Sequence, residues 1–324
     1  MSRNDTTTVL FIAGVGRSGS TLLDRLLNEV EGYCALGETA RFVWQRGLKD
    51  NQLCGSGKPF HEAPFWRAVF DDAFGGMDGL DPAAMVRMQQ AVSRRRHVPQ
   101  YLLEPLMTSS LRQALSPYTE RMDALYRAIV NVSGAQVLGD TSKRPLEAYI
   151  LARLPSVSVS VLHLVRDARA VAHSWQRKKE RTEITGETVL MPQLEPLETA
   201  RWWVGRNALA HSFQVKQFPY LRVRYEDLVA SPGRTIENIA AFLGLQGERP
   251  EFGPEKEVHL GANHMLSGNP MRFDTGSIRV RADAAWKREM SMAAKRRVTS
   301  IAFPFLSGYG YPVWEIISKG KSGS

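Results

Sequence analysis

Apolar and polar positions are grouped in blocks from the start of the chain. Thr8–Ala13 (TVLFIA) is almost wholly apolar, which is typical of a strand buried on both faces of a parallel sheet. A glycine-rich turn follows, and the next segment, Thr21–Leu27, has leucines at positions 22, 23, 26 and 27. That spacing places the leucines on one side of a helix. The pattern therefore predicts a strand, a glycine-rich loop and a helix in succession.

The same alternation recurs along the chain. Strands are predicted at Ala135–Gly139, Val157–Val165 and Leu221–Tyr225. Helices are predicted at Pro145–Leu154, Ala168–Lys179, Thr199–Phe218 and Pro232–Leu243. Strands that alternate with helices favour an α/β fold with three layers, in which helices flank a central, mostly parallel sheet. With a glycine-rich loop after the first strand, the expected architecture is P-loop-NTPase-like.

Residues 55–130 interrupt this alternation. The segment has helical character and no convincing strand, so we predict a helical insertion that acts as a lid. A chain of 324 residues, 43% of them hydrophobic, is long enough to bury a full core. We therefore expect one domain over residues 1–324 that contains the insertion.

The N-terminal residues lack the apolar stretch and the small-residue cleavage site of a secretory signal peptide. No run approaches the ~18 apolar residues of a membrane span, so no integral membrane segment is predicted. The two cysteines, Cys34 and Cys54, match neither a metal-binding set nor a disulfide framework. These features predict a cytoplasmic protein.

The charge balance favours anionic partners. The chain has 42 basic and 33 acidic residues, which gives a formal net charge of +9. Nucleic acid, an acidic membrane face and a phosphorylated small molecule all fit such a charge, and a merely soluble basic surface fits it equally well.

The loop Gly14–Thr21 (GVGRSGST) has nearly the spacing of a Walker A phosphate loop. Ser20 stands where that loop needs lysine, and the nearest cation is Arg17. Backbone N–H groups of a glycine-rich turn at a helix N-terminus bind anions, and hydroxyl and guanidinium groups add further donors. The loop therefore predicts a site for a phosphate group that is not part of a metal-bound triphosphate. The alternative is a purely structural glycine-rich turn in which a serine caps the helix.

Two later segments also place polar residues after strands. Arg166 ends a predicted strand, and Ser174 lies about two helical turns further on, so together they could bind a second phosphate. The alternative is a salt bridge from Arg166 to Asp167 or Glu226. Tyr225 ends the last predicted strand, where it could stack on a base or pack in the core.

Together, G-x-G-R-S-G-S-T, L-V-R-D-x-R-A-V-A-x-S and R-Y-E-D-L resemble the motifs of the nucleotide-dependent sulfotransferases. That family takes its sulfuryl group from 3′-phosphoadenosine 5′-phosphosulfate (PAPS). The resemblance implies that Arg166 and Ser174 bind the 3′-phosphate and that Tyr225 lies near the adenine or the 3′-phosphate. It also implies that the 5′-phosphosulfate is bound by Arg17, Ser18, Gly19, Ser20 and Thr21. With arginine at position 17 of the loop, the chain resembles the branch of the family that contains bacterial, carbohydrate and tyrosylprotein sulfotransferases.

The resemblance extends to a catalytic pair. Ala35–Arg41 (ALGETAR) is similar to a segment whose glutamate is the catalytic base, here Glu38. Gly139–Pro145 (GDTSKRP) is similar to a segment whose lysine contacts the leaving oxygen, here Lys143, with Arg17 as a further candidate. Glu38 could instead stabilise the start of a helix over Thr39–Gln45.

Several histidines and three late arginines are less specific candidates. His61, His211 and His264 are alternative bases, and His163 is expected in the core. Arg272, Arg279 and Arg281 all compete for the 3′-phosphate, and we favour Arg272.

The resemblance thus implies an enzyme that transfers a sulfuryl group from PAPS to a hydroxyl group and releases 3′,5′-diphosphoadenosine (PAP). Catalysis would depend on positioning, electrostatics and a carboxylate base, without a metal. The expected acceptor is a carbohydrate, a lipid or a small metabolite of a bacterial cytoplasm, and no nucleic acid is expected as a partner. The alternatives are a P-loop kinase that uses ATP and magnesium, and a non-catalytic basic protein that binds nucleotides or nucleic acid.

Overall fold

A computed structural model of the chain describes residues 6–178, 180–184, 187–190 and 192–313. The strands within these residues are β1 (Thr7–Gly14), β2 (Tyr33–Ala35), β3 (Val137–Lys143), β4 (Val157–Val165), β5 (Glu180–Ile184), β6 (Glu187–Leu190), β7 (Tyr220–Arg224), β8 (Glu257–Leu260) and β9 (Gly276–Arg279).

The helices are α1 (Ser20–Leu27), α2 (Thr39–Phe42), α3 (Pro64–Phe74), α4 (Pro82–Val92), α5 (Val98–Leu102), α6 (Ser109–Ser133), α7 (Pro145–Leu151), α8 (Ala168–Gln176), α9 (Pro196–Val215), α10 (Tyr225–Ala230), α11 (Pro232–Leu243), α12 (Trp286–Glu289) and α13 (Met292–Gly308). A π-helix, Val43–Lys49, continues directly from α2, and short 3₁₀ turns connect several of the helices. None of the helices described is both long and apolar enough to cross a lipid bilayer.

Five strands form a parallel sheet in the order β2-β3-β1-β4-β7. The central strand, β1, alternates its side chains between two apolar clusters, as the period of two requires. Val9 and Phe11 pack towards α6, α7 and α9, whereas Leu10 and Ile12 pack towards α1 and α11. The sheet therefore has a helical layer on each face, and the predicted three-layer α/β fold is confirmed.

The predicted elements agree with the structure at β4 and α11, whereas β3 lies at Val137–Lys143 instead of Ala135–Gly139. β4 has the predicted bounds, and α11 ends at Gly244, which has φ +73°. Tyr225 begins α10 instead of ending β7. Not predicted were β2, the antiparallel hairpins β5–β6 and β8–β9, and the C-terminal helix α13.

The insertion at residues 55–130 is helical, as predicted, and its last helix runs on to Ser133. Its helices are packed into the main apolar cluster through buried side chains such as Trp66, Phe70 and Tyr118, so the segment forms a structural layer. Among the described residues of the insertion, Arg95 alone lines the cavity of about 650 Å³ at the edge of the sheet. The segment is therefore a helical layer packed on the core, and its role as a lid stays a prediction.

Candidate active site

The carboxyl ends of parallel strands meet at one edge of the sheet, and ligands of open α/β folds bind there. At this edge the structure has a cavity of about 650 Å³. Three of the segments identified in the sequence contribute to its lining, namely the loop after β1, the residues after β4 and the residue after β7. The fold thus brings together segments more than 200 residues apart in the sequence, from Gly16 to Tyr225.

The loop after β1 requires glycine at two positions. Gly14 has φ +135°, and a Cβ there would overlap the carbonyl oxygen of Leu164. Gly19 has φ +92°, and a Cβ there would overlap the ring of Tyr225. Arg17 also has a positive φ, 71°, which is uncommon and costly for a residue with a side chain. The loop therefore has a tightly constrained backbone.

The N-terminus of α1 opens into the cavity. Gly19 is its N-cap and offers no side chain to the first-turn N–H groups, so these groups have no side-chain cap. Ser20 and Thr21 both line the cavity. Ser18 is not in the lining, because its Oγ donates to the carbonyl oxygen of Val15 at 2.7 Å and stabilises the loop from within. This arrangement suits an anion bound by backbone N–H groups.

Two tryptophans lie against the loop. A Cβ on Gly16 would come within 3.0 Å of the Trp175 ring, whose Nε1 donates to the carbonyl oxygen of Gly16 at 3.3 Å. Trp202 packs edge-on against Trp175, with 5.5 Å between ring centroids. The Arg17 guanidinium lies 5.1 Å from the centroid of the Trp175 ring, within cation–π distance. The tryptophans therefore support the loop and its arginine, a role that the sequence did not indicate.

Arg166 joins the loop to the far side of the cavity. Its Nη1 donates to the carbonyl oxygen of Arg17 at 2.9 Å, and its Nη2 lies 3.2 Å from both the carbonyl oxygen and the Oδ2 of Asp283. The guanidinium lies 4.4 Å from the centroid of the Tyr225 ring. Burial raises the pKa of Asp283, but Arg177 and Arg166 outweigh that effect, so the pKa lies below its usual value. Arg166 thus faces an ionised carboxylate.

The proposed salt bridge from Arg166 to Asp167 or Glu226 is not formed. Asp167 instead pairs with Arg169 at 2.6 Å, and Glu226 accepts hydrogen bonds from the Asp167 N–H and the Tyr311 hydroxyl. Arg166 is therefore in the cavity wall rather than in a structural pair with those acids.

Tyr225 and Ser174 complete this side of the cavity. Both are buried, yet both contribute to the cavity lining. The Tyr225 ring packs against Gly19 on one side and against Arg166 on another. Tyr225 is therefore both packed in the core and part of the cavity wall. The loop after β1 and Arg166, the two predicted phosphate-binding groups, therefore both pack against the Tyr225 ring.

Glu38 and Lys143 form an ion pair in the same cavity. Lys143 Nζ lies 2.6 Å from Glu38 Oε1, and the two side chains are 14% and 13% exposed. Lys143 ends β3 with φ +64°, and Glu38 precedes α2 with its N–H bonded to the carbonyl oxygen of Leu266. Burial raises the pKa of Glu38, but the charges of Lys143, Arg41 and Arg46 outweigh it, so the pKa lies below its usual value. The carboxylate is therefore ionised at neutral pH.

The alternative roles considered for these positions find less support. The Glu38 carboxylate forms no capping hydrogen bond to α2. None of the alternative histidines contributes to the cavity wall within the described residues. His264 stacks on Phe65 at 3.9 Å, His211 packs on Tyr309, and His61 contacts the Leu48 carbonyl oxygen.

His163 lies in β4, as predicted, and burial lowers its pKa to about 4. Burial disfavours the charged form of an imidazole, so this histidine is neutral at physiological pH. Its ring nitrogens contact Tyr220 and Asn207 in the core.

The structure does not bring Arg272 to the cavity. Its guanidinium is fully buried and donates to the carbonyl oxygens of Gly268 and Leu53, each at 3.4 Å. Arg279 and Arg281, the other two candidates, both line the cavity. Arg272 is therefore apart from this cavity, and which of the three arginines meets the 3′-phosphate stays a prediction.

Several cavity residues were not predicted. Ten basic residues line the cavity, but Glu38 and Asp283 are its acidic ones among the residues described. The five basic ones absent from the sequence-based list of candidates are Arg41, Arg46, Arg95, Arg144 and Arg206. No group of three or more His, Cys, Asp or Glu side chains in the described residues could hold a metal ion.

Comparison with known proteins places relatives of this chain among the sulfotransferases. A sequence model of the sulfotransferase family matches residues 10–249. Carbohydrate sulfotransferase 2 of Homo sapiens is 27% identical over 226 residues, which cover 57% of this chain and 40% of that protein. The Mus musculus counterpart is 26% identical with the same coverage. The chain thus spans about 40% of the length of these curated relatives.

Two solved structures share the fold. The sulfotransferase domain from the curacin biosynthetic pathway superposes with a TM-score of 0.50 at 18% identity, covering 96% of this chain and all of that domain. The sulfotransferase domain from the Synechococcus PCC 7002 olefin synthase has a TM-score of 0.51 at 18% identity, covering 96% and 98%. Because the family model matches well over half of the chain, this protein belongs to the sulfotransferase family.

Proposed function

We propose that this protein transfers a sulfuryl group from PAPS to a hydroxyl group of an acceptor and releases PAP. The observation that carries the proposal is the connection between two anion-binding points. Arg166 donates to the backbone of the loop after β1 and packs on Tyr225, and Tyr225 packs on Gly19 of that loop. A donor with phosphate groups at both its 5′ and 3′ positions matches a site built in this way.

The 5′-phosphosulfate would be bound by the N-terminus of α1 with Arg17, Ser20 and Thr21. Ser18 would contribute through its backbone, since its hydroxyl is committed to the loop. The 3′-phosphate would be bound by Arg166 and Ser174, with Arg279 or Arg281 beside them in place of Arg272. Charge-assisted hydrogen bonds from arginine are among the stronger polar contacts in proteins, which suits a donor with several negative charges.

Glu38 would act as the general base. In the transfer, the acceptor oxygen forms a bond to sulfur while the bond from sulfur to the 5′-phosphate oxygen breaks, and the hydroxyl proton passes to the Glu38 carboxylate. Charge develops on the leaving oxygen, where the Lys143 ammonium and the Arg17 guanidinium would stabilise it. The 2.6 Å ion pair between Glu38 and Lys143 keeps the base ionised and places both groups at one point of the cavity.

Titration calorimetry with two nucleotides tests the proposal. We expect PAP to bind without magnesium, and more tightly than ATP with magnesium, because Ser20 occupies the position of the Walker lysine. A kinase would show the reverse order, since its loop lysine and metal contact the β- and γ-phosphates. Tighter binding of ATP–magnesium than of PAP would refute the proposal.

The pH dependence of transfer should report the Glu38–Lys143 pair. The Glu38 carboxylate must be ionised to act as the base, and its pKa lies below the ordinary value of 4.5. Protonation of Glu38 should therefore lower kcat/KM only when the pH falls below 4.5. Lys143→Met removes the main charge that opposes the effect of burial, so the pKa of Glu38 should rise and the acid limb should move towards neutral pH. The exposed Lys58→Met serves as the control. An unchanged acid limb in Lys143→Met would contradict this pairing.

We further propose that the acceptor is a small metabolite, a glycan or a lipid, and that the protein acts in a bacterial cytoplasm. Net charge alone was compatible with nucleic acid, but ten of the basic residues face into one cavity of about 650 Å³, which suits a small ligand. Residues 182–198 contribute Pro192 to that cavity, and residues 185, 186 and 191 of this segment lie outside the described residues.

A further inference from the structure

A second group of cations lies in the cavity apart from the proposed donor site. This arginine cluster consists of Arg41, Arg95, Arg144 and Arg206. Its members come from α2, from the 3₁₀ turn before α5, from the residue before α7, and from α9. Tertiary folding therefore gathers four guanidinium groups from distant parts of the chain at one end of the cavity.

The arginine cluster is poorly neutralised. Arg144 donates to the carbonyl oxygen of Ser93 at 2.8 Å, and its Nε lies 3.5 Å from Glu147 Oε1. Among the described residues, the guanidinium groups of Arg41 and Arg206 form no hydrogen bond and no ion pair. They lie instead over aromatic rings.

Those rings are Phe42 and Trp202, which both line the cavity. The Arg41 guanidinium lies 4.5 Å from the centroid of Phe42, and that of Arg206 lies 5.6 Å from the centroid of Trp202. Two half-buried guanidinium groups are thus fixed on aromatic faces while their N–H donors remain available.

The electrostatic cost of this arrangement is visible at Arg206. Its pKa is lowered to about 10, first by burial and then by the neighbouring charges of Arg144 and Arg41. Glu147 is the buried acid of the group, and burial raises its own pKa to about 7, against the influence of Arg144 and Arg41. Like charges held together in a partly buried place destabilise one another unless an anion binds between them.

The topology separates two members of the arginine cluster, Arg41 and Arg144, from the proposed donor site. The donor residues follow β1, β4 and β7, whereas Arg41 and Arg144 follow β2 and β3 on the other side of β1. Arg41 lies one helical turn after Glu38, and Arg144 is next to Lys143. The cluster therefore lies beside the proposed base, near the place that an acceptor hydroxyl must occupy for Glu38 to receive its proton.

We propose that the acceptor carries an acidic group, a phosphate, a sulfate or a carboxylate, which the arginine cluster binds while Glu38 receives the proton of a nearby hydroxyl. This inference rests on the proposed function, because it assigns the acceptor half of the same cavity. It narrows the acceptors from any hydroxyl compound to anionic ones. Guanidinium forks match the geometry of all three acidic groups.

Calorimetry on the protein saturated with PAP tests the inference. Inorganic phosphate, sulfate and acetate are titrated separately, so that the three arms distinguish the kinds of acidic group. We expect at least one of them to bind saturably, and Arg206→Gln and Arg95→Gln each to weaken that binding by about tenfold, as for a lost charged hydrogen bond. Arg201→Gln is the matched control, because Arg201 lies on the same helix, is exposed and does not line the cavity.

Circular dichroism checks that each variant is folded. Because the Arg95 side chain is exposed, Arg95→Gln should fold normally even if Arg206→Gln does not. Binding of none of the three anions, or equal binding by the Arg206→Gln and Arg201→Gln variants, would overturn the inference. PAP affinity, measured on the same samples, decides the proposed function separately. If PAP does not bind, the anion titrations are carried out without PAP. A comparison of Arg206→Gln with Arg201→Gln then still tests whether the arginine cluster binds an anion.

Discussion

Replacing Glu38 with glutamine should lower kcat for sulfuryl transfer by about 10²–10⁴-fold, the usual contribution of a general base. Glutamine has nearly the same shape but cannot accept the hydroxyl proton. The affinity for PAP should stay close to that of the wild type, because the proposed nucleotide contacts come from the loop after β1, from Arg166 and from Ser174. Single-turnover transfer assays and PAP calorimetry measure the two effects separately.

The substitution also leaves Lys143 without its carboxylate partner, so folding must be checked by thermal unfolding. Glu38→Asp is the matched variant, since it keeps the carboxylate on a shorter side chain and should retain more activity than the glutamine variant. Near-normal turnover in Glu38→Gln would show that another group receives the proton.

Replacing Arg166 with alanine should weaken PAP binding by about tenfold to a hundredfold. The variant loses charged hydrogen bonds worth about 1.5–3 kcal/mol, and each 1.4 kcal/mol corresponds to a factor of ten. Calorimetry with PAP and with adenosine 5′-monophosphate separates the causes. If Arg166 binds the 3′-phosphate directly, only PAP is affected, whereas a disturbed loop at Arg17 weakens both nucleotides.

Arg177→Ala is the control for Arg166→Ala, because Arg177 also pairs with Asp283 but does not line the cavity. Its PAP affinity should change little. If both alanine variants lose PAP equally, the effect comes from Asp283 and the local structure, and Arg166 does not contact the nucleotide.

The parts of the fold that could be predicted are those with a strong local pattern. β1 is a nearly continuous apolar run, because both faces of a central parallel strand are covered, and β4 is rich in β-branched valines. β2 has three residues and β8 has four, which is too short for a periodic pattern. The π-helix Val43–Lys49 has no local signal that distinguishes it from the predicted α-helix.

The residues of the candidate site likewise fall into those that a local motif identifies and those that only tertiary packing brings together. Arg17, Arg166 and Tyr225 could be predicted because motifs at the ends of strands identify them. Arg272 was preferred over Arg279 and Arg281 without any local basis, since the hairpin β8–β9 that positions this region was not predicted. The arginine cluster could not be found in the sequence, because its members meet only through tertiary packing.

The strand order also determines when the site can form during synthesis. Thr8 of β1 pairs with Val137 and with Ser158, so the first strand and its loop leave the ribosome long before either neighbouring strand. The tyrosine that packs on the loop, Tyr225, comes later still. Contacts so distant in sequence form slowly, and a nascent chain has no complete nucleotide site. Nucleotide can therefore stabilise the finished protein by mass action, but it cannot guide the early steps of folding.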